Sequence, residues 1–296
     1  EDARLSIIDE GKTVYEGGIG EIELKNMRLW SDEDPKLYRF VLKTKDDKEE
    51  FSFGFRKLEW SADQGLLVNG KVKKLRGACI HHDNGILGAC AFRDAEYRKV
   101  RILKEAGYNA IRSAHDPCSE YLLEACDKYG VYVMDEAFDQ WYMPKNKHDY
   151  ARDFEEHYLD DLRAMVRKDF NHPSVIMYSI GNEISETAQE RGVRLTEEMS
   201  TYMHELDDSR PVTCGINLFL NGLISKGIGI YSEDGEGLAS KAGSKDEKTE
   251  KLSGSAFYNY LMEHLSTIKG IVSLAPFADK ATKDAFRYLD ICGYNY

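Results

Sequence analysis

Six short apolar segments, separated by stretches with helical periodicity, dominate the chain from residue 66 onward. They are Lys74–Ile80, Ala110–Ser113, Val131–Met134, Val175–Ile180, Val212–Ile216 and Ile291–Tyr294. Strands that alternate with helices are typical of a parallel sheet, because a helix returns the chain to the same edge before the next strand begins. The pattern predicts an α/β fold. A (β/α)₈ barrel needs eight strands, so six segments fit either an open, doubly wound sheet or a barrel that stops short.

Three helices between these segments are predicted from capping residues and apolar stripes. Asp94 is expected to cap the first helix and Gly107 to close it. Ser119 is expected to begin the second helix. Asp153 and Glu156 have the spacing of a capping box and are expected to begin the third.

Residues 1–60 have a different period from the rest of the chain. Phe51, Phe53 and Phe55 alternate with Ser52 and Gly54, which is the period of two of a half-buried strand. About five short strands are predicted, at 4–9, 13–16, 21–29, 38–44 and 51–55. An immunoglobulin-like sandwich has about seven strands, so we expect residues 1–60 to form part of such a sandwich and residues 61–296 to form the α/β domain.

The charge balance limits the partners of the chain. Forty Lys and Arg residues stand against 52 Asp and Glu residues, which gives a net charge of −12. This charge repels nucleic acid and anionic lipid, and no apolar run approaches the roughly 20 residues that span a bilayer. We therefore expect neither a nucleic-acid nor a membrane partner, and a neutral or small substrate instead.

The six cysteines show no metal-binding spacing and lie mostly in apolar runs, as Cys214 does. They are interpreted as reduced, buried small hydrophobes, which fits the cytoplasm. Residues 232–255 are charged and rich in Gly and Ser, and are predicted to form a mobile surface loop, with a substrate lid as the alternative.

Polar and ionisable residues follow every one of the six predicted strands. They are His81-His82-Asp83-Asn84, Arg112 with His115-Asp116, Asp135-Glu136 with Trp141 and Tyr142, Asn182-Glu183, Asn217, and Tyr294-Asn295. The active site of a parallel α/β fold is built at this edge of the sheet. Carboxylates, amides and aromatic rings together suit a polyhydroxylated sugar ring. The Gly-rich motifs of dinucleotide, phosphate and α/β-hydrolase sites are absent from the sequence, and no cofactor is implied.

Glu183 is the strongest catalytic candidate in this set. It follows the almost wholly apolar segment Val175–Ile180, so its carboxyl group is expected to be partly desolvated, as a general acid requires. Asn182 beside it is expected to hold a substrate hydroxyl. The alternative is that Glu183 merely caps the next helix.

Two adjacent pairs are ambiguous, because neighbouring residues on a strand face opposite sides of the sheet. One of His81 and His82 is expected to bind sugar and the other to pack in the protein. One of Asp135 and Glu136 is expected to form a structural salt bridge, with Arg112 or Arg76 as its partner.

Several segments occur in an order that indicates a known family. They are Leu29-Trp-Ser-Asp-Glu-Asp-Pro-Lys-Leu-Tyr38, Phe53-Gly-Phe-Arg56, Leu67-Val-Asn-Gly-Lys71, Leu75-Arg-Gly77 with His81, Asn109-Ala-Ile-Arg-Ser-Ala-His115, Cys126-Asp-Lys-Tyr-Gly-Val-Tyr-Val-Met-Asp-Glu136 and Asn171-His-Pro-Ser-Val-Ile-Met-Tyr-Ser-Ile-Gly-Asn-Glu183. Over essentially its whole length the chain resembles glycoside hydrolase family 2, which contains β-galactosidases, β-glucuronidases and β-mannosidases. The resemblance implies a TIM barrel that follows an immunoglobulin-like domain.

The resemblance also implies a retaining mechanism with two carboxylates about 5 Å apart. Glu183 then matches the acid/base and Asn182 matches the amide that grips the 2-hydroxyl group. The substrate-binding set is Asn182, His81, His115, Asp135, Trp141 and Asn217, with Arg112 and Tyr294 in support.

The chain departs from the family pattern at the nucleophile. That glutamate belongs at the end of the seventh strand, so we expect it beyond the C-terminus of this chain. We expect the chain to be a fragment that lacks early sandwich strands and the last two βα units, and to be inactive by itself. Some β-galactosidases bind magnesium after the third strand, where this chain has Gln140 and Tyr142, so no metal site is predicted.

The resemblance favours a β-galactosidase, with a β-glucuronidase as the alternative. A non-catalytic carbohydrate-binding module is the alternative from another class, since the nucleophile is missing. A metal-dependent hydrolase built from His81, His82, Asp135 and Glu183 is a third possibility. Open strand edges would favour self-association, so a homo-oligomer is expected.

Overall fold

The computed structural model describes residues 3–227, 231 and 273–295. The loop expected at 232–255 lies outside these residues. Two compact units are present. The first contains Glu1–Ala114, Cys118–Asp135 and Lys168–Ile176, and the second contains His115–Pro117, Glu136–Arg167 and Met177–Tyr296. The expected domain boundary near residue 60 stays a prediction.

The first unit begins with two antiparallel sheets. The strands are β1 (Arg4–Asp9), β2 (Lys12–Gly18), β3 (Tyr38–Lys43) and β4 (Lys48–Phe53) in one sheet, and β5 (Leu58–Ser61), β6 (Gly65–Val68) and β7 (Lys71–Val72) in the other. The strand order of the larger sheet is β2-β1-β3-β4. The strand predicted at 21–29 is wrong, because no strand pairs with this segment. Its Arg28 N–H instead donates to the Tyr38 hydroxyl over 2.8 Å.

A six-stranded sheet contains all six predicted strands of the α/β region. They are β8 (Gly77–Ile80), β9 (Ala110–Ser113), β10 (Tyr132–Glu136), β11 (Val175–Asn182), β12 (Val212–Ile216) and β13 (Ile291–Tyr294). Their spatial order is the chain order, from β8 to β13. A doubly wound sheet reverses its order at a switch point, whereas this sheet winds in one direction. The expected truncated barrel is therefore confirmed over the open, doubly wound alternative.

Six α-helices are described. They are α1 (Arg93–Glu105), α2 (Glu120–Tyr129), α3 (Ala151–Asp169), α4 (Glu190–Leu206), α5 (Leu218–Ile224) and α6 (Pro276–Phe286). The expected cap at Ser119 is confirmed, since its Oγ accepts a hydrogen bond from the Leu122 amide over 3.2 Å. The caps expected at Asp94 and Asp153 are wrong, because both residues lie inside the first turn of their helices. Helix α1 begins one residue before Asp94, and α3 begins two residues before Asp153.

Trp30 and Asp32 tie the first unit together. The Trp30 indole is completely buried and donates to the main-chain oxygen of Asp127 over 2.7 Å. Its ring lies edge-on to Tyr132 at 5.6 Å, and the Tyr132 hydroxyl donates to Asp32 over 2.9 Å. Lys73 adds an ion pair to Asp32 at 2.7 Å. The long connection between β2 and β3 is thus anchored by buried polar contacts.

Gly130 and Gly107 offer a matched test of the packing against Asp32. Both follow a helix with left-handed backbone, at φ +72° and +91°. A Cβ at Gly130 would lie 2.7 Å from the Asp32 carbonyl oxygen, whereas a Cβ at Gly107 meets no atom within 4 Å. We expect Gly107→Ala to lower the free energy of unfolding by about 1–2 kcal/mol. Gly130→Ala should cost about 1–3 kcal/mol more, through overpacking against rigid backbone.

Urea denaturation of both variants measures this difference. Equal losses of stability in the two variants would contradict this. They would show that the left-handed backbone conformation alone determines the loss, and that the close approach of residue 130 to Asp32 contributes nothing.

The Asp32 carboxylate makes the stability depend on pH. Burial raises the pKa of Asp32, but hydrogen bonds from Lys73 and Tyr132 outweigh burial, so its pKa lies below the ordinary value. Its stabilising contribution is therefore present above the unfolded pKa of about 3.9 and is lost as the pH falls through the lower folded pKa.

We expect Asp32→Asn to lower the free energy of unfolding at pH 7, and this deficit to shrink below about pH 4. Urea denaturation at several pH values measures it, with the exposed Asp46→Asn as control. A deficit that does not change with pH would contradict the assignment.

Candidate active site

Strand β11 delivers Asn182 and Glu183 to the carboxyl edge of the sheet. All eight of its residues are buried. Glu183 follows with a left-handed backbone, φ +49°, and its amide donates to the Gly215 oxygen over 2.6 Å. Its side chain is only 7% exposed. A non-glycine residue in this conformation costs about 1–2 kcal/mol, and such strain is found at functional sites.

Asn217 holds the Glu183 carboxylate. Its Oδ1 accepts hydrogen bonds from the Phe219 and Leu220 amides at the start of α5, which fixes the orientation of the side-chain amide. Its Nδ2 then donates to Glu183 Oε1 over 3.1 Å. The alternative that Glu183 is a helix cap is wrong, because the cap positions of the next two helical segments are Ile184 and Gln189.

Asn182 is fixed on both sides of its amide. Its Nδ2 donates to Asp139 Oδ1 over 2.9 Å, and its Oδ1 accepts from Asn295 Nδ2 over 2.7 Å. Lys145 Nζ donates to the main-chain oxygen of Asn182 over 2.8 Å. These contacts fix the orientation of the Asn182 side-chain amide.

Asp139 stays charged in this setting. Burial raises the pKa of Asp139, but the Lys145 charge and the hydrogen bonds from Lys145 and Asn182 outweigh burial, so its pKa is below the ordinary value. Neither Asp139 nor Lys145 was predicted as a site residue, because both lie in a loop without periodicity. The only signal for them was the concentration of charges after β10.

His115 is oriented by a buried carboxylate. Its Nδ1 lies 2.6 Å from Glu136 Oε1, and the Ser179 hydroxyl donates to Glu136 Oε2 over 2.6 Å. Glu136 is completely buried. A carboxylate at Nδ1 favours the tautomer with its proton on that nitrogen. Glu136 is thus the member of its pair that supports a site residue.

Asp135 has a different role from the one expected. It is completely buried, and its carboxylate accepts from the Cys118 amide over 3.0 Å and from Lys168 over 2.9 Å. We therefore correct the expected sugar ligand to a structural carboxylate whose ion-pair partner is Lys168, not Arg112 or Arg76. Adjacent side chains face opposite sides of a strand, which separates it from Glu136.

Trp141 is also corrected. The indole is completely buried, and it donates to the Ile180 oxygen over 2.9 Å. Gly181 makes room for it, since a Cβ there would lie 3.0 Å from the indole nitrogen. The loop after β10 folds back onto β11, so the ring packs against protein instead of covering a sugar.

The remaining predicted residues are placed as follows. His81 is exposed after β8 and Arg112 is half-buried on β9, both in the first unit. Tyr294 is 58% exposed on β13, with its ring 4.9 Å from that of Phe286. His115, Asn182, Glu183 and Asn217 belong to the second unit, where Asn217 contacts Glu183 directly.

One of the two positions considered for magnesium, Tyr142, is engaged in another contact. Tyr142 lies under the Arg191 guanidinium at 3.5 Å. Within the described ranges, no group of three His, Cys, Asp or Glu side chains could hold a metal ion, so the metal-hydrolase alternative gains no ligand cluster there. In the same ranges, no helix is both long and apolar enough to cross a membrane.

Comparison with known protein families gives two matches. Residues 61–244 match "Glycosyl hydrolases family 2, TIM barrel domain", and residues 1–56 match "Glycosyl hydrolases family 2". The first match alone covers more than half of the 296 residues.

Two curated relatives carry different enzyme names. Beta-galactosidase BoGH2A of Bacteroides ovatus is 36% identical over 258 residues, which are 72% of this chain and 30% of the relative. A putative beta-glucuronidase of Formosa agariphila is 33% identical over 66% of this chain and 19% of its own length.

Solved structures are similar as well. A family 2 glycosyl hydrolase from Bacteroides cellulosilyticus is 35% identical with a TM-score of 0.73, over 99% of this chain and 33% of its own. A beta-D-glucuronidase from Dictyoglomus thermophilum is 28% identical with a TM-score of 0.64, over 73% of this chain and 39% of its own. The chain thus spans well under half the length of these relatives. With both family matches in place, the chain belongs to glycoside hydrolase family 2.

Proposed function

We propose that this chain supplies the acid/base side of a retaining β-glycosidase, and that the whole protein removes a terminal β-linked sugar. The observation that carries the proposal is the Glu183 carboxyl group, which is nearly buried at the end of β11 and held by Asn217. A retaining glycosidase uses such a group first to protonate the leaving oxygen and then to activate water.

The hydrogen bond from Asn217 decides which oxygen of Glu183 carries the proton. Because Oε1 accepts from Asn217 Nδ2, the transferable proton belongs on Oε2. In the second step the same oxygen takes a proton from water.

The neighbouring residues supply sugar recognition. We assign Asn182 the 2-hydroxyl group of the substrate on the family resemblance. The same resemblance assigns His115, whose Nδ1 is held by Glu136, to the sugar site. The family resemblance also supports His81 as a sugar ligand, with Arg112 and Tyr294 in support. The nucleophile is assigned to no residue of this chain.

A galactoside is the proposed substrate, with a glucuronide as the alternative. The name of the Bacteroides ovatus relative supports the first, and that of the Formosa agariphila relative supports the second. Recognition of a glucuronide carboxylate needs an available cation. Lys145 is neutralised by Asp139 at 2.7 Å, so it offers no net charge, which favours a neutral sugar.

A cytoplasmic location and a homo-oligomeric state complete the proposal. All six cysteines are free, which supports a reducing compartment. We also propose that the substrate is the main partner and that nucleic acid is not one, since the net charge of −12 opposes such binding.

The chain by itself should hydrolyse none of the nitrophenyl β-galactoside, β-glucuronide and β-mannoside, because no nucleophile is assigned to it. Release of nitrophenol measures this. If the chain hydrolyses one of these glycosides and Glu183→Ala abolishes the reaction, the nucleophile lies within this chain, contrary to the proposal. The glycoside that is hydrolysed would then identify the sugar.

In the full-length protein, Glu183→Gln should lower kcat by about 10²–10⁴-fold for a methyl or nitrophenyl glycoside, since general acid catalysis contributes about that factor. A dinitrophenyl glycoside should lose far less in its glycosylation step, because its leaving group needs no proton. Pre-steady-state release of the phenol measures that step.

Glu190→Gln is the control, since that glutamate on α4 has an 83% exposed side chain. Equal losses for good and poor leaving groups in the Glu183 variant would rule out the acid role.

A further inference from the structure

Asp139 and Lys145 form a closed hydrogen-bonded ring with Asn182. Lys145 Nζ lies 2.7 Å from Asp139 Oδ1 and 2.8 Å from the main-chain oxygen of Asn182. Asp139 Oδ1 also accepts from Asn182 Nδ2 over 2.9 Å. One ammonium group therefore holds the backbone of Asn182 directly and its side chain through a carboxylate.

The ring is anchored to the start of α3. Asp149 Oδ2 accepts from the amides of Lys145 and Asn146 at 2.7 and 2.8 Å, and its Oδ1 accepts from the Ala151 amide at 3.1 Å. The side chain of Lys145 is only 11% exposed. Its ammonium group is thus placed by folded backbone before any ligand arrives.

The peptide group between Asn182 and Glu183 is gripped at both ends. Lys145 binds its oxygen, and its N–H donates to the Gly215 oxygen over 2.6 Å. Fixing the plane of this peptide restrains the rotation about the Glu183 N–Cα bond, which sits at φ +49°. A strained dihedral persists only where the surroundings over-determine it.

We propose that Lys145 is a positioning residue for the reaction of Glu183, acting through the 182–183 peptide and through the Asp139–Asn182 hydrogen bond. The inference rests on the proposed glycosidase function. Removal of the ammonium group lets this peptide turn, which moves the Glu183 carboxyl group. It also loosens the amide that grips the 2-hydroxyl group.

Kinetics of the full-length protein test the role in the reaction. Lys145→Met keeps the aliphatic stem and should lower kcat by about 10²-fold, the cost of a misplacement of about 1 Å, with little change in KM. The ratio of kcat/KM for the glycoside over its 2-deoxy analogue should also fall. Lys147→Met, an exposed lysine of the same loop, should change neither quantity.

A purely structural lysine would behave differently. Its loss would lower stability and the folded fraction, and would leave kcat per folded molecule and the 2-deoxy ratio unchanged. That result would overturn the proposal. Lys145→Met also leaves Asp139 without its cation, so Asp139→Asn combined with Lys145→Met provides a charge-balanced second variant. It should lose kcat as the single variant does, because the peptide oxygen of Asn182 still lacks its donor.

The Asn182 side-chain amide gives a readout that needs no activity. In the ¹⁵N-labelled chain, the NH₂ resonances of Asn182 are identified by their loss in Asn182→Asp. We expect these amide protons to exchange slowly with solvent, and to exchange at least 10-fold faster in Lys145→Met. Lys147→Met should leave them unchanged.

The two readouts separate the two proposals. If the Asn182 amide responds to Lys145→Met but the full-length protein cleaves no β-glycoside, the ring exists and the glycosidase function fails. If glycosides are cleaved and Lys145→Met changes neither the amide nor kcat, the positioning role fails and the function stands.

Discussion

The fixed peptide between Asn182 and Glu183 is the constraint on which the candidate site depends. Strand β11 is buried along its whole length, so its polar groups must find partners inside the protein. The main chain then turns sharply, with Gly215 and Lys145 holding the two ends of one peptide group. Because that turn is fixed, the Cα–Cβ bonds of Asn182 and Glu183 each have one direction, and hydrogen bonds with Asp139 and Asn217 orient the amide and the carboxyl group beyond them. The other residues of the candidate site only modify the environment of these two groups.

The polar groups around this turn are arranged in hydrogen-bonded pairs. Glu136 faces His115 at 2.6 Å, and Asp139 faces Lys145 at 2.7 Å. Such pairs orient the groups they hold. Directed hydrogen bonds of this kind suit the hydroxyl groups of the proposed sugar, and the ion pair between Lys145 and Asp139 agrees with the proposal that this sugar is uncharged.

Much of this architecture follows from local sequence patterns, and the rest depends on contacts between distant residues. The six strands were predictable because each is a short apolar run, and Glu183 was predictable because it directly follows the most apolar of them. Lys145 and Asp139 were not, since they meet Asn182 across 37 and 43 residues from a loop without periodicity. Trp141 was misread for the same reason. An aromatic residue beside a predicted site carries no signal of whether its loop opens to solvent or folds back onto the sheet.

The left-handed backbone at Glu183 sets its proposed acid/base role against folding stability. Glycine adopts φ +49° without the steric cost that a glutamate meets there. If the proposed function holds, a lineage released from selection for glycoside cleavage would therefore gain stability by exchanging this glutamate for glycine. The residue found at this turn in any descendant would then record whether the chemistry is still under selection, even where the rest of the barrel is unchanged.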